Sequence, residues 1–507
     1  MEEKEQKNTT KNNISDKVVR GGAWMFGRML FTNVINLVVM AILARQLSPA
    51  AFGLAALANV ILRFFNILTS QGSNQYVIYD NKEGREERVN AAFWLDLTMA
   101  VGCTAVGLLM LPLITAFYKE PGLAPIMIVL FLKYPIDSIS KVPDALLKKN
   151  LEFKKIELRD TILEIFSGVL SVILSIMGYG VWSLIIPGII ASPIRAIIVF
   201  SMSKWVPLFR LNLELWPKIL KFSANVIGGT FTSFILTEGD SLIIGKLMGS
   251  HALGVYNLAW QSANIVGRTV VTLSNKLTLP ALSKVAHDNE KLKSTIARIL
   301  KLLSITTFPL LIGLFVVADD FIITVYGNKW SESILPLRIL IIFALRYAAG
   351  SPMGTIFVVL GRPDINFKAG LMAIPFYIAA IFIGSRYGVV GVAVAVTIVR
   401  SLNGVAYFLV AAKLLKENFW SLVTPMRHSF IASLIMSLVV LIFKLIFTHF
   451  DLTQNFVSLI LLTAIGGITY LILLRTTFNH LSMELSQVTL PLLGHQNKII
   501  NKILKVK

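Results

Sequence analysis

Apolar runs of about twenty residues recur along almost the whole chain, separated by short polar stretches. A helix of that length spans the hydrocarbon core of a bilayer, which is roughly 30 Å thick. Of the 507 residues, 55% are hydrophobic and 15% are charged, whereas about 25% of the residues in soluble domains are charged. This composition excludes a soluble globular enzyme and predicts an all-α, polytopic membrane protein.

The runs predict fourteen transmembrane helices. These lie at about 21–44, 52–76, 91–117, 123–147, 157–177, 181–204, 219–248, 252–280, 296–317, 334–360, 366–384, 388–413, 427–448 and 454–474. Lysine and arginine mark the cytoplasmic side of a membrane protein. The two tails and the even-numbered loops hold 32 of the 48 basic residues, whereas the odd-numbered loops hold five. We therefore expect both termini to be cytoplasmic.

Motifs for metal binding and catalysis are lacking in the sequence. The one cysteine, Cys103, allows no internal disulfide and no cysteine metal cluster, and the six histidines show no ligand spacing. The net charge of +20 would suggest nucleic acid in a soluble protein, but here the basic residues lie mostly in the predicted loops. We expect no catalytic residue, no metal, no cofactor and no nucleic-acid partner.

An internal repeat relates the two halves of the chain. Shifting the sequence by 201 positions aligns residues 17–74 with 218–275 without a gap, with nine identities. The best stretch pairs 42–58 with 243–259, at the turn between the first and second helices of each half. Six predicted helices separate the copies, so both halves enter the membrane in the same orientation. This predicts two six-helix lobes related by a parallel repeat, with a binding site at their interface.

These features divide the chain into six predicted segments. They are a cytoplasmic polar tail (1–16), an N-lobe of helices 1–6 (17–205), a cytoplasmic linker (206–217), a C-lobe of helices 7–12 (218–415), two extra helices (416–475) and a cytoplasmic basic tail (476–507).

Several motifs resemble those of a known family. They are Val142–Lys154 (VPDALLKKNLEFK), Gly178–Leu184 (GYGVWSL), Asp240–Gly249 (DSLIIGKLMG) followed by Ala252–Ala259, Leu279–Ser283 and Leu360–Asp364. They are similar to motifs of the oligosaccharide flippases of the polysaccharide transporter family, in the branch serving colanic and teichuronic acid. The superfamily also contains the multidrug and toxin extrusion antiporters and the peptidoglycan-precursor flippase.

The resemblance implies a transporter rather than an enzyme. Its substrate would be a polyprenyl-pyrophosphate-linked oligosaccharide, such as an exopolysaccharide, O-antigen or teichuronic-type repeat unit, moved from the inner to the outer leaflet by alternating access. Its partners would be this lipid-linked glycan, the bilayer, and polysaccharide polymerase or export proteins. The location would be the bacterial inner membrane.

Basic residues inside apolar runs indicate the site, because a charge at bilayer depth costs roughly 2.5–3.5 kcal/mol on insertion scales. Arg28, Arg63 and Arg268 lie on predicted helices 1, 2 and 8, and Asn264 occupies the repeat position of Arg63. A guanidinium group binds phosphate oxygens with two hydrogen bonds. We expect these four residues to contact the pyrophosphate. The resemblance implies the same helices for the three arginines, because the peptidoglycan-precursor flippase of the superfamily uses arginines on its first, second and eighth helices.

Two further arginines, Arg346 and Arg400, lie in the C-lobe where a long sugar chain could pass. They are either an additional part of the cavity or residues that only fix helix packing.

The competing interpretation is that each arginine pairs with a buried acid inside one lobe. The candidate acids are Asp96, Asp137, Asp160, Glu164, Glu238 and Asp240. For Asp240 we favour a structural role, as a partner of Lys246. If transport is coupled to an ion or proton, the coupling acids would be Asp96, Glu238 or Asp240.

Three other functions compete with a flippase. A drug or cation antiporter of the same superfamily would need an acidic cavity, whereas the surplus charge here is basic. A membrane enzyme of polysaccharide assembly would need a sizeable outer loop, and the longest is only about 318–333. A scaffold without transport activity would leave the three arginines unexplained.

Overall fold

The computed structural model describes residues 31–79, 85–450, 452 and 454–476, which contain helices and no strand. The helices are α1 (Phe31–Gln46), α2 (Pro49–Tyr79), α3 (Arg85–Tyr118), α4 (Leu123–Ile139), α5 (Lys141–Lys149), α6 (Phe153–Ile176), α7 (Trp182–Ser203), α8 (Trp216–Val285), α9 (Asn289–Val316), α10 (Ala318–Phe321), α11 (Ile334–Val359), α12 (Asp364–Ser385), α13 (Gly388–Leu415), α14 (Phe419–Val423), α15 (Arg427–His449) and α16 (Phe456–Thr476). The predicted all-α class is confirmed.

The helices suit a membrane by length and by surface. Within the described residues, ten are long and apolar enough to cross a bilayer. Large apolar side chains project outward from them, for example Leu109 (81% exposed), Leu113 (71%) and Phe376 (69%). Exposure of such an apolar surface to water is unfavourable, whereas contact of the same surface with lipid chains is not. The protein is therefore an integral membrane protein, and the count of fourteen spans stays a prediction.

The predicted loop between helices 7 and 8 is reduced to one residue. Helix α8 is helical on both sides of Gly249, whose φ of 79° and ψ of −178° lie outside the helical region. A positive φ strains any residue with a Cβ, so glycine allows this abrupt junction. The two helices predicted at 219–248 and 252–280 therefore meet at a kink at Gly249, one residue beyond the predicted end of the first.

The repeat is visible in a reciprocal contact between α2 and α8. A Cβ built on Gly53 would lie 1.7 Å from the carbonyl oxygen of Ser250, and one built on Gly254 would lie 1.9 Å from the carbonyl oxygen of Pro49. Gly254 follows Gly53, and Ser250 follows Pro49, by the same 201 positions found in the sequence. Each half thus makes the same contact with the other half. A two-fold axis between two copies produces such reciprocal contacts.

The described helices pack into two compact units. One, the first-repeat unit, comprises residues 35–259 and 367–399; the other, the α9 unit, contains 260–366 and 400 onward. In the first-repeat unit, Tyr76, Phe93, Val142 and Ile219 form a buried core that joins α2, α3, α5 and the start of α8. The predicted lobe boundaries stay a prediction.

In the α9 unit, helix α9 lies at the centre of the packing. Leu300 and Phe308 on α9 pack with Met353 on α11 and Phe408 on α13 in one buried cluster. The last two helices also pack on α9, and the hydroxyl of Tyr470 on α16 donates a 2.9 Å hydrogen bond to a carbonyl oxygen of α9. The tails 1–16 and 477–507 lie outside the described residues.

Candidate functional site

Arg63 lies near the middle of α2 and forms an ion pair with Glu238 on α8. The Arg63 side chain is 63% exposed, whereas Glu238 is 18% exposed. Glu238 was one of the candidate acids in the sequence, but under the competing interpretation, in which each arginine pairs with an acid of its own lobe. Here the pair joins a helix of the first repeat copy to a helix of the second.

The surface of α8 beside this pair is polar. Gly229, Ser233 and Thr237 follow each other at intervals of four residues, so they share one helix face, and all three are exposed. The hydroxyl of Ser233 donates to the carbonyl oxygen of Gly229 at 3.1 Å, and that of Thr237 donates to the carbonyl oxygen of Ser233 at 2.9 Å. Each hydroxyl oxygen keeps lone pairs for water or a ligand.

Of the other three predicted pyrophosphate contacts, the side chain is described for Asn264 and not for Arg28 or Arg268. Asn264 is buried, at 5% exposed, and its side-chain amide donates a 2.8 Å hydrogen bond to the carbonyl oxygen of Trp260 on its own helix. Arg268 lies one turn further along α8, but its side chain is outside the described set, as is all of Arg28. The structure therefore brings only Arg63 of the four into a defined charged pair.

Asp96 on α3 is a buried carboxyl group with one free oxygen. It is 2% exposed, and the hydroxyl of Ser73 on α2 donates to its Oδ1. Its Oδ2 has no hydrogen-bond partner within the described part of the chain. A buried polar atom without a partner is costly and needs an explanation, such as a proton or an ion.

Asp240 has a different environment. It is 1% exposed, it accepts a 2.7 Å hydrogen bond from the hydroxyl of Tyr256, and it accepts one of 2.8 Å from the backbone N–H of Ser241. Lys246 does not pair with it; the ammonium group donates to the carbonyl oxygen of Phe117 and lies 4.1 Å from the Phe117 ring centroid. The predicted Asp240–Lys246 pair is wrong because α3 approaches Lys246 instead.

Several other charged residues are locked inside the first-repeat unit. Arg159 is 1% exposed and pairs with both Asp144 and Asp160, at 2.8 Å to the latter. Lys133 and Asp137, one turn apart on α4, form the expected intrahelical pair at 2.5 Å. For these residues the packing interpretation is the better one.

Arg346 on α11 and Arg400 on α13 lie against aromatic rings. The guanidinium carbons of Arg346 and Arg400 are 5.6 and 5.2 Å from the ring centroid of Phe343, and that of Arg400 is 4.7 Å from Trp260. Sequence reasoning found the two arginines but missed the rings. Their signal was available: Phe343 precedes Arg346 by three residues and therefore lies on the same helix face.

A metal centre finds no support in the described ranges, where no group of three or more His, Cys, Asp or Glu side chains could hold an ion.

Known proteins resemble this chain in sequence and in fold. Residues 42–335 match the polysaccharide biosynthesis protein family. The lipopolysaccharide biosynthesis protein WzxC of Escherichia coli (strain K12) is 26% identical over 83% of this chain and 86% of its own length. The teichuronic acid biosynthesis protein TuaB of Bacillus subtilis (strain 168) is 25% identical over 91% of this chain and 96% of its own.

A solved structure of the lipid II flippase MurJ, in an inward closed conformation, has the same fold. It superposes with a TM-score of 0.73 at 19% identity, and the match covers 90% of this chain and 99% of that one. The family match itself extends over more than half of the 507 residues. The chain therefore belongs to the polysaccharide biosynthesis protein family.

Proposed function

We propose that this protein is a flippase that moves a polyprenyl-pyrophosphate-linked oligosaccharide from the inner to the outer leaflet of a bacterial cell membrane, with both termini in the cytoplasm. The observation that carries the proposal is Arg63: a guanidinium group halfway along a membrane helix that stays 63% exposed. A charge at that depth needs a wet cavity or an anionic ligand. The relatives named above act in the synthesis of bacterial surface polysaccharides, which supplies the class of cargo.

The pairing of Arg63 with Glu238 supports a reversible site. An exposed ion pair contributes only about 0–1 kcal/mol, because water screens it. A pyrophosphate offers more oxygen acceptors and a higher charge than one carboxylate, so it displaces Glu238 from Arg63 with little loss. Ser233 and Thr237 on the same surface of α8 offer hydroxyl groups to the sugar or phosphate. Arg28, Arg268 and Asn264 stay predicted contacts.

The membrane potential favours export of this cargo. Moving a pyrophosphate of charge about −2 out of an inside-negative cell releases roughly 4–5 kcal/mol per 100 mV if it crosses the whole field. Alternating access then needs only to open the site to each side in turn. The polyprenyl tail stays in lipid throughout.

The test is transport by the purified protein in vesicles, followed with a fluorescent polyprenyl-pyrophosphate-linked oligosaccharide. Arg63→Ala is expected to slow flipping about ten- to a hundredfold, because a charged hydrogen bond contributes about 1.5–3 kcal/mol. Its matched control is Arg195→Ala, which removes a 42% exposed arginine of α7 held 3.4 Å from Asp160; this variant should keep its rate. Equal rates for wild type and Arg63→Ala would remove the site assignment, and transport of a cationic drug instead would favour the antiporter.

For ion coupling we propose Asp96 among the three candidate acids. Glu238 is engaged by Arg63 and Asp240 by Tyr256, whereas Asp96 keeps an oxygen without a described partner. In the same vesicles, an imposed pH gradient should change the rate of flipping severalfold in wild type but not in Asp96→Asn. Identical responses of the two proteins would exclude Asp96 as the coupling acid.

A further inference from the structure

A buried polar cluster lies in the first-repeat unit, where α2, α3 and the start of α5 meet. Asp96 on α3 is 2% exposed and accepts a hydrogen bond from the hydroxyl group of Ser73, which is also 2% exposed. The ammonium group of Lys141, the first residue of α5, donates a 3.1 Å hydrogen bond to Oδ1 of Asn66. The cluster therefore contains one carboxyl group and one ammonium group, each held by a neutral partner.

The two ionisable groups are not paired with each other. Oδ2 of Asp96 has no hydrogen-bond partner within the described part of the chain, and no described carboxylate forms an ion pair with Lys141. Besides the amide of Asn66, the ammonium group has the face of the Tyr134 ring, 4.8 Å from its centroid. Two opposite charges left apart in an apolar interior are costly, and a proton on Asp96 removes one of them.

The ammonium group of Lys141 is within reach of Asp96. Asn66 and Ser73 are seven residues apart on α2, so they lie on one helix face about 10 Å from each other. Val142, next to Lys141, packs in a core at the end of α2 that carries Ser73. The lysine side chain runs from there toward Asn66, and rotation of its flexible four-carbon stem brings the ammonium group back toward the carboxyl group. The two groups already interact electrostatically.

We propose that Lys141 is a built-in counterion of Asp96 and that the two residues form a proton-operated switch. While Asp96 is protonated, the ammonium group stays on Asn66, as in this structure. When the proton of Asp96 passes to water, the carboxylate attracts the ammonium group, which keeps its own three protons and forms an ion pair with it. The proposal rests on the proposed function, in which Asp96 is the coupling acid, and it adds the identity of the ion and a second residue.

The same arrangement disfavours a sodium ion. A metal cation needs several oxygen ligands, and in the helices that the structure describes no three acidic, histidine or cysteine side chains come together to hold one. The ammonium group of Lys141 would also repel a second cation, because like charges a few ångströms apart interact strongly in an apolar interior. A proton needs only the free Oδ2 atom of Asp96.

The other charged groups around this cluster already have partners. On α4, Lys133 pairs with Asp137 at 2.5 Å, and a serine hydroxyl group of α7 donates to the second oxygen of Asp137. On α5, Asp144 pairs with the buried Arg159. The thiol of Cys103 on α3 belongs to a residue type that is mostly uncharged at neutral pH. The proposed switch is therefore the part of the cluster that a change of pH would rearrange.

The test follows the carboxyl group directly, by infrared difference spectroscopy of the full-length protein in nanodiscs. We expect wild type to show the carbonyl band of a protonated carboxyl group, with a component that disappears as the pH is raised and that is missing in Asp96→Asn. In Lys141→Met this component should persist to a pH at least one unit higher, a tenfold change in proton affinity, because the carboxylate has lost its counterion.

Two further variants keep the test decisive. Lys141→Arg retains the positive charge and should restore most of the wild-type pH dependence, and a thermal melt of each variant verifies folding. The matched control is Lys149→Met, because Lys149 lies on the same short helix and donates a 3.2 Å hydrogen bond to the carbonyl oxygen of Val77 on α2; it should leave the band unchanged. An unchanged pH dependence in Lys141→Met, or no component that is lost in Asp96→Asn, would overturn the proposal.

The identity of the ion is tested in the same spectra. Replacement of potassium chloride by sodium chloride at constant pH should leave the band of wild type unchanged. A band that weakens in sodium would mean that a metal cation displaces the proton from Asp96, and it would overturn the assignment.

Flipping assays separate this inference from the proposed function. In vesicles with an imposed pH gradient, the severalfold change in rate expected of wild type should disappear in Lys141→Met and persist in Lys149→Met. If the infrared band behaves as expected but no lipid-linked glycan is flipped, the flippase proposal fails and the switch stands. If flipping proceeds and responds to the gradient equally in wild type and Lys141→Met, the switch fails and the flippase proposal stands.

Discussion

Arg159 and Arg346 are both arginines inside the helical body of the protein, but their surroundings are opposite. Arg159, in the first-repeat unit, is 1% exposed and pairs with two carboxylates, Asp144 and Asp160. Arg346, in the α9 unit, lies against Phe343 and keeps a donor without an acceptor among the described residues. The difference shows that the depth of an arginine in the membrane does not by itself identify a binding residue. Whether a carboxylate already pairs with the guanidinium group is the more informative property.

Arg63 is an intermediate case. It has a carboxylate partner, as Arg159 does, but its side chain is largely exposed. Its ion pair is therefore weak enough to be exchanged for a ligand, whereas Arg159 is buried and holds two carboxylates in place.

The largest expected effect concerns stability. Arg159→Ala leaves Asp144 without its cation, whereas Asp160 keeps Arg195 at 3.4 Å. Breaking the buried Arg159–Asp144 pair in this way costs about 3–5 kcal/mol. Arg346→Ala removes a charge that lacks a carboxylate partner and should cost about 1–2 kcal/mol, mostly from lost cation–π contact. Melting curves of both variants in detergent measure the contrast. Equal losses would mean that Arg346 is structural too, and the comparison would break down.

A smaller effect sharpens the comparison within the α9 unit itself. Asp319 there accepts from Lys444 and Arg338. Burial alone would raise the pKa of Asp319, but the hydrogen bond and charge of Lys444 and the charge of Arg338 outweigh it and hold the pKa below the ordinary value. A carboxyl group with a depressed folded pKa stabilises the protein at neutral pH, and this contribution is lost as the pH falls through that folded value.

We therefore expect the melting temperature of wild type to fall as the pH is lowered below about 4, the unfolded pKa of aspartate. In Lys444→Met, Asp319 keeps only Arg338, so the decrease between neutral and acidic pH should be smaller by a few degrees. Arg346→Ala is the control and should follow the pH dependence of wild type, because no described carboxylate pairs with Arg346. Parallel pH curves for wild type and Lys444→Met would contradict this account.

Much of the fold could be predicted because hydropathy is a local property. The runs around Phe93 or Leu462 read as membrane helices in the sequence, and both lie in helices of the structure. The offset of 201 residues, read from the sequence, also relates the two contacts Gly53–Ser250 and Gly254–Pro49 in the structure. The break predicted between residues 248 and 252 is a kink at Gly249 in the structure, but hydropathy could not predict that a single glycine with a positive φ forms it.

The sequence by itself determined that this chain is a helical membrane protein, that its halves repeat, and which basic residues lie in apolar segments. Only the tertiary structure decided what each of those residues touches: Glu238 for Arg63, Phe117 for Lys246, and a ring shared by Arg346 and Arg400. The physical reason is the distance along the chain over which each interaction acts. Helix formation and membrane insertion depend on neighbours within a few turns, whereas an ion pair or a ring contact depends on a few ångströms between helices that are far apart in the chain.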